Sequence, residues 1–180
     1  MVPKPSPTLE TKRLILRPPV AEDFEPWAAF AADPEVGRYL GGPQGREAAW
    51  RQMCVVTGAW TVRGFSMFSV IEASTGRWMG RLGPWQPEGW PGTEVGWGLS
   101  REAWGKGYAS EGAAAAIDWA FETFGWTEVI HCIDADNVNS HAVARRLGSR
   151  LLRETTLPPP LDWPVQIWGQ SREEWFARPR

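Results

Sequence analysis

Apolar and polar positions alternate along this chain with two periods, and the switches between them mark out its elements. Thr11–Arg17 sets Leu14 and Leu16 against charged neighbours and stops at Pro18-Pro19, which predicts a strand. Asp23 is placed to cap a helix in which Phe24, Trp27, Ala28 and Ala31 share one face, with Pro26 tolerable in its first turn. The turn Asp33-Pro34 and the pair Gly41-Gly42 break the chain before a second helix. There Trp50, Met53, Cys54 and Thr57 recur at helical spacing, with Gly58 as the expected stop. Phe65–Glu72 and Trp78–Leu82 read as strands joined through Ser74-Thr75-Gly76, a hairpin.

A loop rich in Pro, Gly and Trp runs from Gly83 to Gly92, and Thr93–Leu99 is the next strand. A long helix is expected from about Lys106 to Phe124, with Ala113, Ala116, Ile117, Ala120 and Phe124 on one face and Gly125 as its stop. Glu128–Ile133 reads as a strand, Ser140–Leu147 as a short helix ended by Gly148, and Val165–Trp168 as a last strand. Pro158-Pro159-Pro160 marks an exposed connection between the final strands. This order predicts an α+β domain around a mixed sheet, one domain over residues 1–180 with residues 1–8 as a short flexible N-terminus.

Composition narrows the function classes. No apolar run approaches the roughly 20 residues of a membrane span, and Met1-Val2-Pro3-Lys4-Pro5 lacks the apolar core of a secretory signal. A net charge of −2 without a basic stripe argues against nucleic acid as a partner. Two separated cysteines and two histidines give no metal-ligand spacing, so no metal is expected. Together these features predict a cytoplasmic protein with reduced thiols. The thirteen tryptophans are the oddity; most are assigned to packing, and some to the wall of a pocket.

The strongest local motif is Trp104-Gly105-Lys106-Gly107-Tyr108-Ala109, between a strand and a helix. The free amides and positive dipole end of a helix N-terminus attract phosphate oxygens. Glycines 105 and 107 let the backbone approach a pyrophosphate, and the Lys106 side chain can add charge. Taken alone, a Gly-x-Gly turn is more often a tight connection. The Gly-x-x-x-x-Gly-Lys-Ser/Thr loop is absent, and Ser110 stands where a dinucleotide fingerprint needs its third glycine.

Five segments, in order, resemble the GNAT superfamily of acetyl-coenzyme A-dependent N-acetyltransferases, in the branch that includes the ribosomal-protein N-terminal acetylases. Leu9–Arg17 is similar to its first strand, and Asp33-Pro34-Glu35-Val36 with Arg38-Tyr39-Leu40 to its first helical turns. Glu94-Val95-Gly96-Trp97 resembles its fourth strand, Trp104–Ala109 with Glu111 its pyrophosphate loop. Asn137-Val138-Asn139-Ser140 followed by Leu147-Gly148 resembles the motif along the pantetheine arm. Trp104 departs from the Gln or Arg common at its position, and Ser149 stands where an aromatic commonly follows the glycine. The resemblance implies a mostly antiparallel mixed sheet of about seven strands flanked by about four helices.

It also implies acetyl-coenzyme A as co-substrate, bound by Trp97, Gly98, Leu99, Trp104, Gly105, Lys106, Gly107, Tyr108, Ala109, Asn137 and Ser140. Amides of Trp97-Gly98-Leu99 would polarise the thioester carbonyl. Glu94 is the candidate for accepting the amine's proton, directly or through water, against the alternatives of a solvent-facing strand carboxylate or one that only orients a cationic acceptor. The superfamily's acid tyrosine has no counterpart in the helix after the fifth strand. Ser140 is the candidate in its place, while Asn137 and Ser140 both also suit helix capping. His131 and His141 are read as packed or at most contacting the cofactor. Glu111 is read as a helix-start charge with proximity to the acceptor as the alternative, and Arg145 and Arg146 as an exposed face with a phosphate contact as the alternative.

The expected acceptor is a primary amine, on a small molecule or a protein N-terminus. Its groove is placed between the first two helices and the loops around Trp85–Pro91 and Pro158–Trp163. A homodimer stays open, since dimers are frequent in that family. The rival readings are a non-catalytic acyl-coenzyme A-binding domain and a nucleotide-binding module sharing a glycine turn.

Overall fold

The computed structural model describes residues 7–178, so the N-terminal segment expected to be flexible falls, for residues 1–6, outside the described residues. Eight strands form one sheet in the order β1-β2-β3-β4-β5-β6-β8-β7. They are β1 (Leu9–Glu10), β2 (Leu14–Arg17), β3 (Phe68–Glu72), β4 (Trp78–Trp85), β5 (Glu94–Leu99), β6 (Glu128–Ile133), β7 (Arg150–Thr156) and β8 (Pro164–Ser171). The helices are α1 (Phe24–Ala32), α2 (Pro34–Gly37), α3 (Arg46–Arg63), α4 (Tyr108–Phe124), α5 (Val138–Arg146) and α6 (Arg172–Ala177). Every pairing is antiparallel except β5 with β6. The α+β fold with a mixed, mostly antiparallel sheet is therefore as expected, with eight strands and six α-helices among the described residues.

The sheet is covered on both faces. On one, α4 lays Ala113, Ala116, Ile117 and Ala120 against Leu14, Leu16, Phe68, Val70, Met79, Leu82 and Val95. Small residues along this helix let it sit close to a sheet face made of large ones. Phe121 rather than Phe124 is the fully buried aromatic at its C-terminal end. The other face carries α1 and α3, with Trp27, Phe30, Met53 and Val56 packed on Met67, Ile71 and Trp78.

Several elements differ from the sequence pattern for identifiable reasons. The α3 helix runs past Gly58 to a left-handed cap at Gly64. An interior glycine costs about 1 kcal/mol, less than Trp60 returns by donating to the Met67 carbonyl at 3.1 Å and packing on Phe68 and Trp119. Its buried face is Ala49, Met53 and Val56, while Trp50, Cys54 and Thr57 are exposed. Both registers fit helical spacing, and Trp50 instead meets the Phe24 ring edge-on at the surface.

Asp23 makes no side-chain cap for α1. Its carboxylate accepts from both terminal nitrogens of Arg17 at 2.7 Å, from Ser69 Oγ and from the Val20 amide. The strand expected from Thr11 begins at Leu14, because Thr11 closes a turn on Leu14. β4 continues through Pro84 to Trp85; beyond Leu82 it has no β3 neighbour, and an edge position tolerates proline. β7 is an exposed edge strand without alternation. The short α6 has a legible signal, the capping box between Ser171 and Glu174.

Candidate active site

The site grows from the place where β5 and β6 part. They share the single pair Glu94↔Ile130 and then diverge. Backbone groups freed by such a splay need other partners. Glu94 Oε1 accepts from the Cys132 amide at 3.1 Å, and His131 Nδ1 lies 2.7 Å from the Val95 carbonyl. Two side chains thus wedge the strands apart and satisfy the backbone they separate. With the proton on Nδ1, His131 donates to Val95 and accepts at Nε2 from Ser149 Oγ, 3.0 Å away. Burial pushes the His131 pKa down to about 4 and keeps the ring neutral. Ser149 also accepts from Gln170, whose amide nitrogen reaches the Leu147 carbonyl too.

A cleft of about 460 Å³ opens above the splay. One wall is the segment Glu35–Leu40, the other α5, and the floor is Trp97-Gly98-Leu99 followed by the glycine turn. Tyr39 spans the mouth, its hydroxyl donating to the Asp136 carbonyl at 3.2 Å. Gly105 and Gly107 have φ of +72° and +79°, a left-handed conformation that other residues adopt only with strain. Gly107 caps α4 without any side-chain hydrogen bond, so the first amides of that helix face the cleft unfilled. Asn137 accepts from the Ser140 amide at 3.1 Å and caps α5, and Ser140 Oγ accepts from Trp97 Nε1 at 3.2 Å.

Of the expected cofactor residues, Trp97, Gly98, Leu99, Trp104, Gly105, Gly107, Tyr108, Ala109, Asn137 and Ser140 line this cleft; Lys106 does not. Trp104 is half-exposed and donates to the Leu99 carbonyl, tying the turn to the end of β5. Tyr108 is buried, with its hydroxyl donating to Glu72 at 2.6 Å. The Lys106 carbonyl is held by Arg13, whose guanidinium also binds Glu111 and lies 4.7 Å from the centre of the Tyr108 ring. No local motif marks Arg13 for this role, because it sits 93 positions from the carbonyl that it anchors. Arg146 lines the cleft and reaches Ser110 in the first turn of α4, whereas Arg145 lies over Trp168.

Glu94 lies beneath the cleft rather than in its lining. Only 5 % of it is exposed. Trp90 Nε1 donates to its second oxygen at 2.5 Å. Burial raises its pKa to about 7, against the opposing pull of the Cys132 amide, the Trp90 indole and Arg81. The sheet beside it is bare: a Cβ on Gly96 would stand 3.2 Å from Glu94 Oε1. The loops expected to shape an acceptor groove do converge here. Trp90, Leu157, Leu161 and Trp163 cluster over Ile130, and Trp163 packs against Gly41.

Cleft, glycine turn and splayed strands together define an acyltransferase fold of the kind that the resemblance implies. The family model described as an acetyltransferase (GNAT) domain matches residues 13–150, and the chain belongs to that acetyltransferase family. Among solved structures, an acetyltransferase from Agrobacterium tumefaciens is 30% identical, with 94% of this chain and 97% of that one covered and a TM-score of 0.82. A GNAT-family acetyltransferase from Bacillus anthracis is 22% identical over 93% of this chain and 99% of that one, with a TM-score of 0.79. A ribosomal L7/L12 α-N-protein acetyltransferase, 16% identical over 94% and 98%, has a TM-score of 0.75 and shares the fold. A sequence search of curated proteins found no match. Among the described residues no cluster of metal-binding side chains occurs, and no helix is long and apolar enough to cross a membrane.

Proposed function

We propose that the protein transfers an acetyl group from acetyl-coenzyme A to a primary amine by direct attack in a ternary complex. The observation that carries this reading is the pairing of an open, uncapped cleft above the strand splay with a buried carboxylate below it. The residues present fit the cofactor. The free amides of Tyr108, Ala109 and Ser110, with Arg146 beside them, suit a pyrophosphate. The cleft between α5 and Glu35–Leu40 suits the pantetheine arm. Acetyl-coenzyme A supplies a thioester, at whose carbonyl carbon a C–N bond forms as the C–S bond breaks.

In this reading backbone amides of Trp97-Gly98-Leu99 polarise the carbonyl, donors of this kind supplying about 3 kcal/mol each. Glu94, poised near neutrality, takes the proton that the amine must lose, directly or through water. Ser140 donates to the departing thiolate; its oxygen already accepts from Trp97, which leaves its own proton free to point into the cleft. The test is thiol release from acetyl-coenzyme A against a panel of amines that includes N-terminal peptides. Release that depends on no amine in the panel would sink the reading.

One observation favours a second reading, a non-catalytic acyl-coenzyme A-binding domain. Glu94 holds the Cys132 amide and is absent from the cleft lining, as a purely structural carboxylate would be. Under that reading no amine is acetylated and Glu94→Gln leaves coenzyme A binding unchanged; under ours the wild type turns over an amine and Glu94→Gln lowers that turnover while coenzyme A affinity stays.

A further inference from the structure

Among the described residues, Arg81 is a buried charge without a carboxylate partner. It lies in β4 and is 9 % exposed. Its Nε has no hydrogen-bond partner, and Nη1 meets only the Met67 sulfur, at 2.6 Å. A thioether is a weak acceptor. Arg17, on the neighbouring surface of the same sheet, shows the ordinary arrangement, with both terminal nitrogens on one carboxylate. The Trp27 ring, 5.9 Å from the guanidinium carbon, and the through-space pull of Glu94 return only part of the several kcal/mol of solvation that a buried guanidinium loses. Arg81 makes no ion pair among the described residues, and Glu94 acts on it only through space.

Its position connects it to the reaction. Arg81 is the antiparallel partner of Gly98, so the two point to the same face, the one that Gly96 and Glu94 share by strand alternation. Gly98 lies in the strand expected to polarise the thioester. Arg81 borders a small hollow of about 10 Å³ under Phe30, Val36, Leu40 and Gln44, room for one water. Val36 and Leu40 line both this hollow and the main cleft, and so form the partition between them. Gly41 and Gly42, with φ of +91° and +86°, follow Leu40 directly.

We propose that Arg81 is an acceptor-binding residue that receives a carboxylate, so that the acetylated amine belongs to a molecule carrying both groups. This rests on the transfer reading above and names its substrate class. One face then offers two complementary charges, Glu94 toward the amine and Arg81 toward the acid. The Leu40–Gly42 turn has to move outward to admit the carboxylate, since the hollow holds only a water otherwise. Polyamines and aminoglycosides lack the acid and leave Arg81 unpaired. Free amino acids carry it, and so do peptides that begin with Asp or Glu.

The test compares matched acceptors on the wild-type protein: α-amino acids against the amines left by their decarboxylation, and peptides beginning with Asp or Glu against those beginning with Asn or Gln. The acid-bearing member of each effective pair is expected to have at least about ten-fold higher kcat/KM, the scale of a charge-assisted hydrogen bond. The pair that shows the preference tells a free amino acid from an acidic N-terminus. Arg81→Gln should bring the ratio to within about two-fold, with Arg81→Lys retaining part of it and KM for acetyl-coenzyme A unchanged. Equal kcat/KM for both members in the wild type overturns the proposal without need of a variant.

Calorimetry separates its failure from that of the transfer reading. N-acetyl amino acids and their methyl esters are titrated into the coenzyme A-loaded protein. Binding that requires the free acid, with no turnover of any amine, leaves the carboxylate site standing and removes the transfer reading. Binding indifferent to the acid removes the carboxylate site whatever the turnover.

Discussion

The two sides of the β5–β6 splay are built from different materials. The cleft side uses backbone: the amides of α4, a turn with two left-handed glycines, and the exposed end of β5. The opposite side uses buried side chains, Glu94 and Arg81, under a roof of Trp90, Leu40 and Phe30. A backbone site needs little more than local geometry, and it suits a ligand with a constant pyrophosphate. A side-chain site depends on residues from several strands, and the proposed acceptor preference rests on it.

This contrast makes the two sides separable by mutation. The largest effect is expected from Glu94→Gln, which should lower kcat by about 10²–10⁴ while calorimetric affinity for coenzyme A stays within about two-fold. In the proposed mechanism the same residue sets the pH dependence. A base must be ionised to accept a proton, so wild-type kcat/KM should rise with pH and level off above about pH 7, the value to which burial raises Glu94. Glu94→Gln should abolish that limb.

On the cleft side, Gly107→Val should weaken coenzyme A binding by at least about ten-fold, because a β-branched residue resists φ near +79° and blocks backbone approach. The circular dichroism spectrum should be unchanged, since a Cβ there meets only Arg13, at 3.4 Å. Ligand affinity kept in this variant would remove the turn from the site.

Asp23→Asn tests the scaffold shared by both sides. Burial pushes the Asp23 pKa up, but the hydrogen bonds from Arg17, Val20 and Ser69 outweigh it and hold the carboxyl below its ordinary range. A lowered carboxylate pKa adds stability above the unfolded value, and that stability is lost as pH falls through the folded one. The variant should therefore lose about 2–3 kcal/mol in denaturant melts at pH 7, a difference that shrinks in acid. A smallest effect is expected from Arg13→Gln. It frees the Lys106 carbonyl and leaves Glu111 with Thr11 and the residue-13 amide, and should raise KM for acetyl-coenzyme A about two- to five-fold with kcat unchanged, since the ion pair is half-exposed.

The inner strands and the long α4 were legible because their periodicity is strong and because proline, serine or glycine stops bound them. Gly125 ends α4 as expected, while Gly58 does not end α3, since Trp60 finds a better place inside the same helix. The edge strand β7 was not legible, because one exposed strand carries no alternation. Within the site, the glycine turn, Asn137 and Ser140 were all visible as local motifs. Arg13 and Arg81 were not, because nothing in an arginine's flanking residues says whether it will find a carboxylate.

The sequence by itself determined the fold class, the acetyltransferase family and the turn from Trp104 to Ala109, all of which rest on contiguous pattern and short-range backbone geometry. Tertiary structure alone decided that His131 and Glu94 hold two strands apart, that Arg13 clamps the turn, and that Arg81 lies buried without an anion. Those facts depend on strand register and on burial, which bring together residues dozens of positions apart and set the solvation of each charge.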